Sequence, residues 1–268
     1  MKPVLFTVGS FNVYAFGVLL AISFILSTFI VWQKAKEDLK EEEYVDLYLY
    51  TSIVVLFFAR IAYIVFNFRQ FGLNFLRYIV VRETPGLSLI GGLVMGFIFL
   101  KIYSKKKSYD FLHILDIYSL AGLFALAFAK IGEFLGGAGF GRETTLPVGV
   151  IIVGLTGKRH PTELYEAVIF LTTGILCALL YNSIRRKKLP KGLIFFLSAG
   201  LLFLFVLGLE FLKEYTVYLY GLSLRQISAL LIFLLIFIWF LKIMKVFANL
   251  KQLLKKAYES VRRNFKKD

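Results

Sequence analysis

The sequence predicts an all-α, polytopic integral membrane protein with about seven transmembrane helices. Of its 268 residues, 59% are apolar and the mean hydropathy is +0.75, whereas soluble domains contain about 45–50% apolar residues even when glycine is counted. The apolar residues are also gathered into runs close to the roughly 20 residues that a helix needs to cross a bilayer. We therefore expect a bundle of spanning helices joined by short polar loops.

The apolar runs define the predicted spans in chain order. They are Asn12 to Trp32, Val45 to Phe66, Leu87 to Tyr103, Phe111 to Leu135, Thr162 to Tyr181, Gly192 to Leu212 and Leu222 to Met244. Neither an internal repeat nor a low-complexity segment divides the chain. The sequence therefore predicts one transmembrane domain over residues 1–247, followed by a tail over 248–268.

Basic residues in the short loops predict the orientation of the bundle. One side of the membrane receives four groups of cations: Lys34 with Lys36 and Lys40, Lys105 to Lys107, Arg185 to Lys191, and Lys245 to Lys267. Cytoplasmic loops carry an excess of Lys and Arg, so we place the N-terminus outside and the C-terminus in the cytoplasm. The tail has apolar residues at helical spacing among basic ones, as expected of an amphipathic helix on an anionic leaflet.

The formal net charge of +15 has two interpretations, nucleic-acid binding and membrane topology. Because the cations lie in short loops and a tail between apolar runs, we favour topology and attraction to anionic lipid headgroups. No nucleic-acid partner is expected. The single cysteine, Cys177, lies inside an apolar run, so no disulfide framework is predicted.

Ionisable side chains lie near the predicted external ends of several spans. They are Arg60, Lys130, Glu133, Glu210 and Arg225. Charges at this depth are costly, so each needs a partner or a function. Salt bridges such as Lys130 with Glu133, and snorkelling side chains, are the structural alternative. Because several spans contribute charge at one leaflet, we favour a shared polar cavity open to phospholipids.

Two glycine-rich stretches differ in their predicted roles. In "SLIGGLVMG", Gly91 and Gly92 are expected to let helices approach closely, as small residues do in membranes. "GEFLGGAGFGRETTLP" follows a helix end and contains Gly141 and Arg142. We expect this second stretch to form a flexible loop whose free N–H groups can meet an anion, in a polar cavity that tolerates irregular backbone.

The segment "GKRHPTELYEA" starts the fifth predicted span. Pro161 suits the first position of a helix, and Glu163 lies in the first turn, where the macrodipole favours negative charge. Helix initiation does not account for His160 or for Glu166, which lies three residues after Glu163. These residues predict an acid or base at the mouth of the cavity.

The same segment, "RHPTELYEA", resembles "RHPSQLYEA" of the prolipoprotein diacylglyceryl transferases, which are seven-helix enzymes of the bacterial inner membrane. "ARIAYIVFN" resembles that family's "GRIGYVLFY" and brings Arg60 into register, and "LSLIGGLVMG" resembles "MSFHGGLIG". "AKIGEFLGG" is similar to "GRIGNFING". Glu210 in "LGLEFLK" takes the place of an acid in "RIIVEFFR". The likeness extends roughly from Val13 to Leu230.

The resemblance implies transfer of the diacylglyceryl group of phosphatidylglycerol to the lipobox cysteine of a preprolipoprotein, with release of glycerol 1-phosphate. It implies a membrane enzyme that contacts phosphatidylglycerol and the preprolipoprotein signal peptide and uses neither metal nor cofactor. Lys130, Arg142 and Arg60 would hold the phosphate, and His160 or Glu133 would promote thiolate formation. The expected supporting residues are Gly91, Gly92, Gly141, Glu163, Glu166 and Glu210.

Several positions depart from the family pattern. Ile90 stands where the family has His, Lys130 where it has Arg, and Glu133 where it has Asn, while Phe16 and Val206 replace a Tyr and an Arg. Two alternatives therefore stay open. One is a related lipid-binding protein or another lipid-headgroup transferase that is inactive on prolipoproteins. The other is an unrelated transporter or channel, although transporters often have internal symmetry.

Overall fold

The computed structural model describes most of the chain, and all structural statements below refer to these residues. They are 3–9, 11–38, 40–72, 78, 86–137, 139–152, 155–186, 189–213, 218–219 and 221–243. The predicted tail over 248–268 lies outside them. So do the side chains of Ile90, Val206 and Arg225.

Helices dominate the described structure. In chain order they are α1 Ala15–Lys36, α2 Glu41–Phe66, α3 Phe68–Phe71, α4 Leu89–Lys106, α5 Phe111–Gly136, α6 Thr162–Arg185, α7 Leu193–Glu210 and α8 Leu224–Ile243. Three short antiparallel hairpins are also described. The pair β1 Val4–Val8 and β2 Phe11–Tyr14 precedes α1, β3 Val150–Ile151 and β4 Lys158–Arg159 lie between α5 and α6, and β5 Tyr218–Leu219 and β6 Leu222–Ser223 lie between α7 and α8. The hairpins pair backbone groups outside the helices, a feature that hydrophobic periodicity did not predict.

Six of the described helices are long and apolar enough to cross a membrane, namely α1, α2, α5, α6, α7 and α8. The remaining predicted span forms α4, an 18-residue helix that carries Lys101, Lys105 and Lys106. The prediction of a helical, polytopic membrane protein is confirmed. The count of seven spans and the orientation of the termini stay predictions.

The described chain divides into two compact units. The first contains Met1–Ser23 and Leu123–Asp268, and the second contains Phe24–Gly122. In the first unit, α7 and α8 pack through aromatic rings: Phe203 stacks on Phe233 with centroids 4.3 Å apart, and Phe196 lies 5.0 Å from Trp239. Offset rings at such distances contribute about 0.5–1.5 kcal/mol beyond the area that they bury.

In the second unit, α2 and α4 approach closely along the predicted glycine stretch. A Cβ atom at Gly92 would lie 2.8 Å from the Val55 carbonyl oxygen and 3.0 Å from the Ala59 Cβ, and one at Gly91 would overlap Ala62. Ser88 caps α4, since its hydroxyl accepts a hydrogen bond from the Gly91 N–H at 3.3 Å. The packing role predicted for Gly91 and Gly92 explains why glycine, which has no Cβ atom, occupies both positions.

Candidate functional site

Lys130 lies one and a half turns before the end of α5 and makes two ion pairs. Its ammonium is 2.6 Å from the Glu133 carboxylate, one turn further along the helix, and 2.8 Å from the carboxylate of Glu166 on α6. The predicted pairing of Lys130 with Glu133 is therefore present. An ammonium has three donors, and these contacts use two of them.

Glu166 also binds a second lysine. The Lys213 ammonium, just after α7, lies 2.5 Å from Oε1 of Glu166 and 3.6 Å from Oε1 of Glu163. Glu163 accepts a further hydrogen bond from the Thr162 hydroxyl at 2.9 Å. Acids and lysines thus alternate along one chain of contacts, which we call the ion-pair network: Glu133, Lys130, Glu166, Lys213 and Glu163.

The ion-pair network is largely withdrawn from solvent. Glu163, Lys213 and Glu166 are 3%, 7% and 8% exposed, and the Lys130 side chain is 14% exposed, whereas that of Glu133 is 33% exposed. Removal of one partner from a buried ion pair typically costs about 3–5 kcal/mol, because the other charge is then left uncompensated. The network is therefore most accessible at Glu133, and its other end is held rigidly.

A second set of contacts positions Arg142 and His160 through their backbones. The Gly141 N–H donates to the His160 carbonyl at 2.9 Å, and the His160 N–H donates back to the Arg142 carbonyl at 3.1 Å. The Arg142 N–H donates to the Leu212 carbonyl at 2.7 Å, and its Nε donates to the Lys213 carbonyl at 3.3 Å. The loop after α5, the start of α6 and the segment after α7 therefore meet at Arg142.

These bonds correct one expectation about the loop. The N–H groups of Gly137, Gly141 and Arg142 were predicted to be free for an anion, but each donates to a backbone carbonyl: Gly137 to Phe134, Gly141 to His160 and Arg142 to Leu212. Unpaired backbone groups are costly when buried, so the loop folds onto neighbouring segments. Any anion bound here would meet side chains rather than these amides.

Two glycines allow the close approach of the loop. A Cβ atom at Gly141 would lie 2.6 Å from the Leu212 carbonyl oxygen and 2.8 Å from the His160 Cβ, and one at Gly139 would overlap the Glu163 carboxylate. No real Cβ atom tolerates such distances. Glycine is therefore required for this backbone path, and the supporting role of Gly141 in the site stays a prediction.

The side chains of Arg142, His160 and Arg159 differ in their surroundings. The Arg142 side chain is exposed, while His160 is half-buried with its Nδ1 3.3 Å from the Tyr165 hydroxyl. Arg159 is buried, lies 3.5 Å from the Glu143 carboxylate and has its guanidinium 5.4 Å from the centre of the Phe140 ring. Arg142 and His160 thus present polar groups at the surface of the same unit that holds the ion-pair network.

The remaining predicted site residues lie at two other places. Glu210 is 3% exposed and accepts a hydrogen bond from the Ser223 hydroxyl at 3.2 Å, which ties the end of α7 to the start of α8. Arg60 belongs to the second unit, where it donates to the carbonyls of Tyr78 at 3.2 Å and Gly86 at 3.1 Å.

The structure includes no cluster of His, Cys, Asp and Glu suited to a metal ion among the residues that it describes.

Comparison with known proteins then identifies the family. The family model for prolipoprotein diacylglyceryl transferase matches residues 3–242. The chain belongs to the prolipoprotein diacylglyceryl transferase family.

Relatives named phosphatidylglycerol–prolipoprotein diacylglyceryl transferase occur in several bacteria. That of Clostridioides difficile is 34% identical over 169 residues, which cover 63% of this chain and 67% of the relative. That of Geobacter sulfurreducens is 30% identical over 220 residues, or 80% and 83% of the two chains. That of Finegoldia magna is 29% identical over 214 residues, or 78% and 84%. The resemblance inferred from the motifs is confirmed, and the chain belongs to a family of enzymes.

Lys213 is the site residue that sequence reasoning missed. It ends "LEFLK", where the prolipoprotein diacylglyceryl transferase motif "VEFFR" ends in Arg, so a cation at this position was a signal in the quoted motif. Glu210 and Val206 of this motif were compared with the family, but Lys213 was not among the predicted site residues. Its ammonium pairs with Glu163 and Glu166 on α6, and its backbone pairs with Gly141 in the loop after α5.

Proposed function

We propose that this chain is a phosphatidylglycerol–prolipoprotein diacylglyceryl transferase. The sulfur of a lipobox cysteine would attack a glyceryl carbon of phosphatidylglycerol, forming a C–S bond as the C–O bond to phosphate breaks. Glycerol 1-phosphate would leave with the electron pair, and the thiol proton would pass to a base. The observation that carries the proposal is the joining of the ion-pair network to Arg142 and His160 in a chain whose family is established.

The phosphate needs positive charge when the C–O bond breaks. Arg142 is exposed and presents a planar guanidinium that suits phosphate, so we assign it the principal phosphate contact. Lys130 has one ammonium donor beyond those that bind Glu133 and Glu166, and we assign it a second contact. The role predicted for Arg60 in headgroup binding stays a prediction.

The thiol needs a group that accepts its proton, because the thiolate is the nucleophile. Glu133 and His160 are the two candidates. The Glu133 carboxylate already binds the Lys130 ammonium at 2.6 Å, whereas Nδ1 of His160 lies 3.3 Å from the Tyr165 hydroxyl. We therefore propose His160 as the base and Glu133 as the group that orients Lys130.

The location follows from the same reaction. A multi-pass membrane protein of this bacterial family would act in the inner membrane, where phosphatidylglycerol and the preprolipoprotein signal peptide are both present. Acyl tails and an apolar signal segment would enter sideways from the bilayer. The proposed function involves no nucleic acid. The basic residues of the loops determine instead how the chain is oriented in the membrane.

The test is complementation of a strain depleted of its own transferase, combined with an assay of the purified protein. The assay measures glycerol phosphate released from phosphatidylglycerol when a lipobox peptide is supplied. The parent chain is expected to restore growth and to release product. Lys130→Ala and His160→Ala are each expected to lower the rate by about 10²–10³-fold, as removal of one transition-state donor does.

Lys242→Ala is the matched control, because Lys242 is an exposed lysine near the end of α8. It should retain the parent's rate. A parent chain that binds phosphatidylglycerol but releases no glycerol phosphate would refute the transferase proposal and would support the alternative of a lipid-binding relative. Equal loss in the Lys242 control would show that the assay reports expression rather than chemistry.

A further inference from the structure

Lys213 contacts both the ion-pair network and the segment that contains Arg142. Its ammonium binds Glu166 at 2.5 Å and Glu163 at 3.6 Å, and Glu166 in turn binds Lys130. Its backbone carbonyl accepts the Arg142 Nε at 3.3 Å. The two groups proposed to bind phosphate, Lys130 and Arg142, are thus both reached from Lys213.

We infer that Lys213 is a positioning residue that acts through its charge: its ammonium balances the Glu163 and Glu166 carboxylates and so leaves Lys130 available to phosphate, and its carbonyl holds the Arg142 guanidinium. This inference rests on the proposed function, because it concerns how the phosphate-binding groups are aimed. Lys213 itself does not touch the reacting atoms in this account. It determines instead how much positive charge the site offers to an anionic lipid.

The charges of the ion-pair network explain why the Lys213 ammonium matters. With every group ionised, three carboxylates face two ammonium groups, so the network carries a net charge of −1. Without Lys213 the net charge becomes −2, and Lys130 is the only cation among three carboxylates. In a site of low dielectric such a change is felt strongly. The Lys130 ammonium would then be less available to an incoming phosphate.

The geometry allows the two roles of Lys213 to be separated. Substitution of its side chain leaves the backbone carbonyl, and so leaves the Arg142 contact, unchanged. Lys213→Met keeps most of the length and removes the charge, and Lys213→Arg keeps the charge. A second substitution, Glu163→Gln, removes one negative charge but keeps an oxygen that can accept the Thr162 hydroxyl.

The experiment compares four proteins in nanodiscs that contain phosphatidylglycerol: the parent, Lys213→Met, Lys213→Arg, and Lys213→Met combined with Glu163→Gln. Lys213→Met is expected to lower kcat/KM by about a hundredfold, the scale of loss from a small misplacement of a binding group. A rise in KM for phosphatidylglycerol should account for much of this loss. Lys213→Arg should stay within about tenfold of the parent, by the same scale.

The double variant is the decisive comparison. It returns the network to a net charge of −1 and is expected to recover most of the kcat/KM that Lys213→Met loses. A purely structural role would not show this recovery, because the double variant has still lost every ion pair of Lys213. A double variant that is no better than Lys213→Met would overturn the inference, as would a Lys213→Met protein with parental KM and kcat.

A second measurement distinguishes failure of the proposed function from failure of the inference. It compares how much phosphatidylglycerol and how much neutral diacylglycerol stay bound to each purified protein. If the parent releases no glycerol phosphate, the transferase proposal fails, and the inference is judged on retention alone. Lys213→Met should then retain less phosphatidylglycerol, with recovery in the double variant and no change for diacylglycerol. If Lys213→Met does not fold, the double variant is compared with the parent, whose ion-pair network has the same net charge of −1, and a large loss in the double variant contradicts the inference.

Discussion

At the scale of single residues, the proposed site assigns charge pairing and proton transfer to different side chains. The carboxylates of Glu163 and Glu166 bind ammonium groups and are buried, so their work is to hold lysines in place. His160 lies outside these ion pairs and faces a hydroxyl group. An imidazole nitrogen beside a hydroxyl group, and not beside a charged partner, suits a proton acceptor.

His160→Gln tests the assignment of the base. We expect kcat to fall by about 10²–10⁴-fold, the usual contribution of a general base, with little change in KM for phosphatidylglycerol. The deficit should shrink as the pH rises towards about 8.5, where a free thiol ionises without help. Tyr165→Phe removes only the hydroxyl beside Nδ1 and should cost less. A pH-independent deficit for His160→Gln would count against a base and favour a packing role.

Gly139→Ala tests how closely the loop must pack on the ion-pair network. The new Cβ would overlap the Glu163 carboxylate, so either the loop or Glu163 must move, at a cost of about 1–3 kcal/mol. The thermal midpoint measured in detergent should fall. Gly208→Ala on α7 is the control, because a Cβ there meets nothing within 4 Å, and it should keep or raise the midpoint. An unchanged Gly139→Ala protein would show that the loop is free to shift.

Contacts within the site could be predicted from the sequence only where the two contacting residues lie close together along the chain. Lys130 with Glu133 was predicted because both lie on one face of one helix. The contact of Lys213 with Glu166 joins residues 47 positions apart, and no periodicity specifies such a pair. The N–H groups of Gly141 and Arg142 were expected to be free, because the carbonyls that accept their hydrogen bonds belong to distant segments of the chain, at His160 and Leu212.

At the scale of elements, hydrophobic periodicity located the helices well. The predicted span from Phe111 to Leu135 is α5 at Phe111–Gly136, and that from Thr162 to Tyr181 is α6 at Thr162–Arg185. The short hairpins were not predicted, because two-residue strands such as β3 and β4 are too short to show alternation. The stretch that contains Gly91 and Gly92 was predicted to have a packing role. The close approach of α2 and α4 along this stretch agrees with that prediction.

Gly92→Ala tests the close approach of α2 and α4. The added Cβ would lie 2.8 Å from the Val55 carbonyl oxygen, so the helices must separate, and we expect a loss of about 1–3 kcal/mol in stability. Gly122→Ala on α5 is the matched control, with nothing within 4 Å of its Cβ. Because Ala is the better helix former by about 1 kcal/mol, the control should be neutral or stabilising. Equal thermal midpoints for both variants would contradict the packing role of Gly92.

At the scale of the whole molecule, the positive loops remain the basis of the predicted topology. Orientation is set by lysines and arginines near the ends of the spans, and this rule predicts that the charges of the candidate site lie at the outer leaflet. This placement matters for the proposed function, because a signal peptide presents its lipobox cysteine on the outer side. The loop between α5 and α6 should accordingly face outwards, and the loop after α4 should face the cytoplasm.

The single buried cysteine makes this orientation directly measurable. Cys177 is 2% exposed, so the parent should not react with a membrane-impermeant maleimide and serves as its own control. Ile151→Cys places a thiol at a position that is 72% exposed in the loop between α5 and α6, and it should be labelled on intact spheroplasts. Lys106→Cys, at the exposed end of α4, should be labelled only after the membrane is permeabilised. The reverse pattern would place the candidate site at the inner leaflet and would remove its access to a translocated cysteine, whatever the activity of the purified protein.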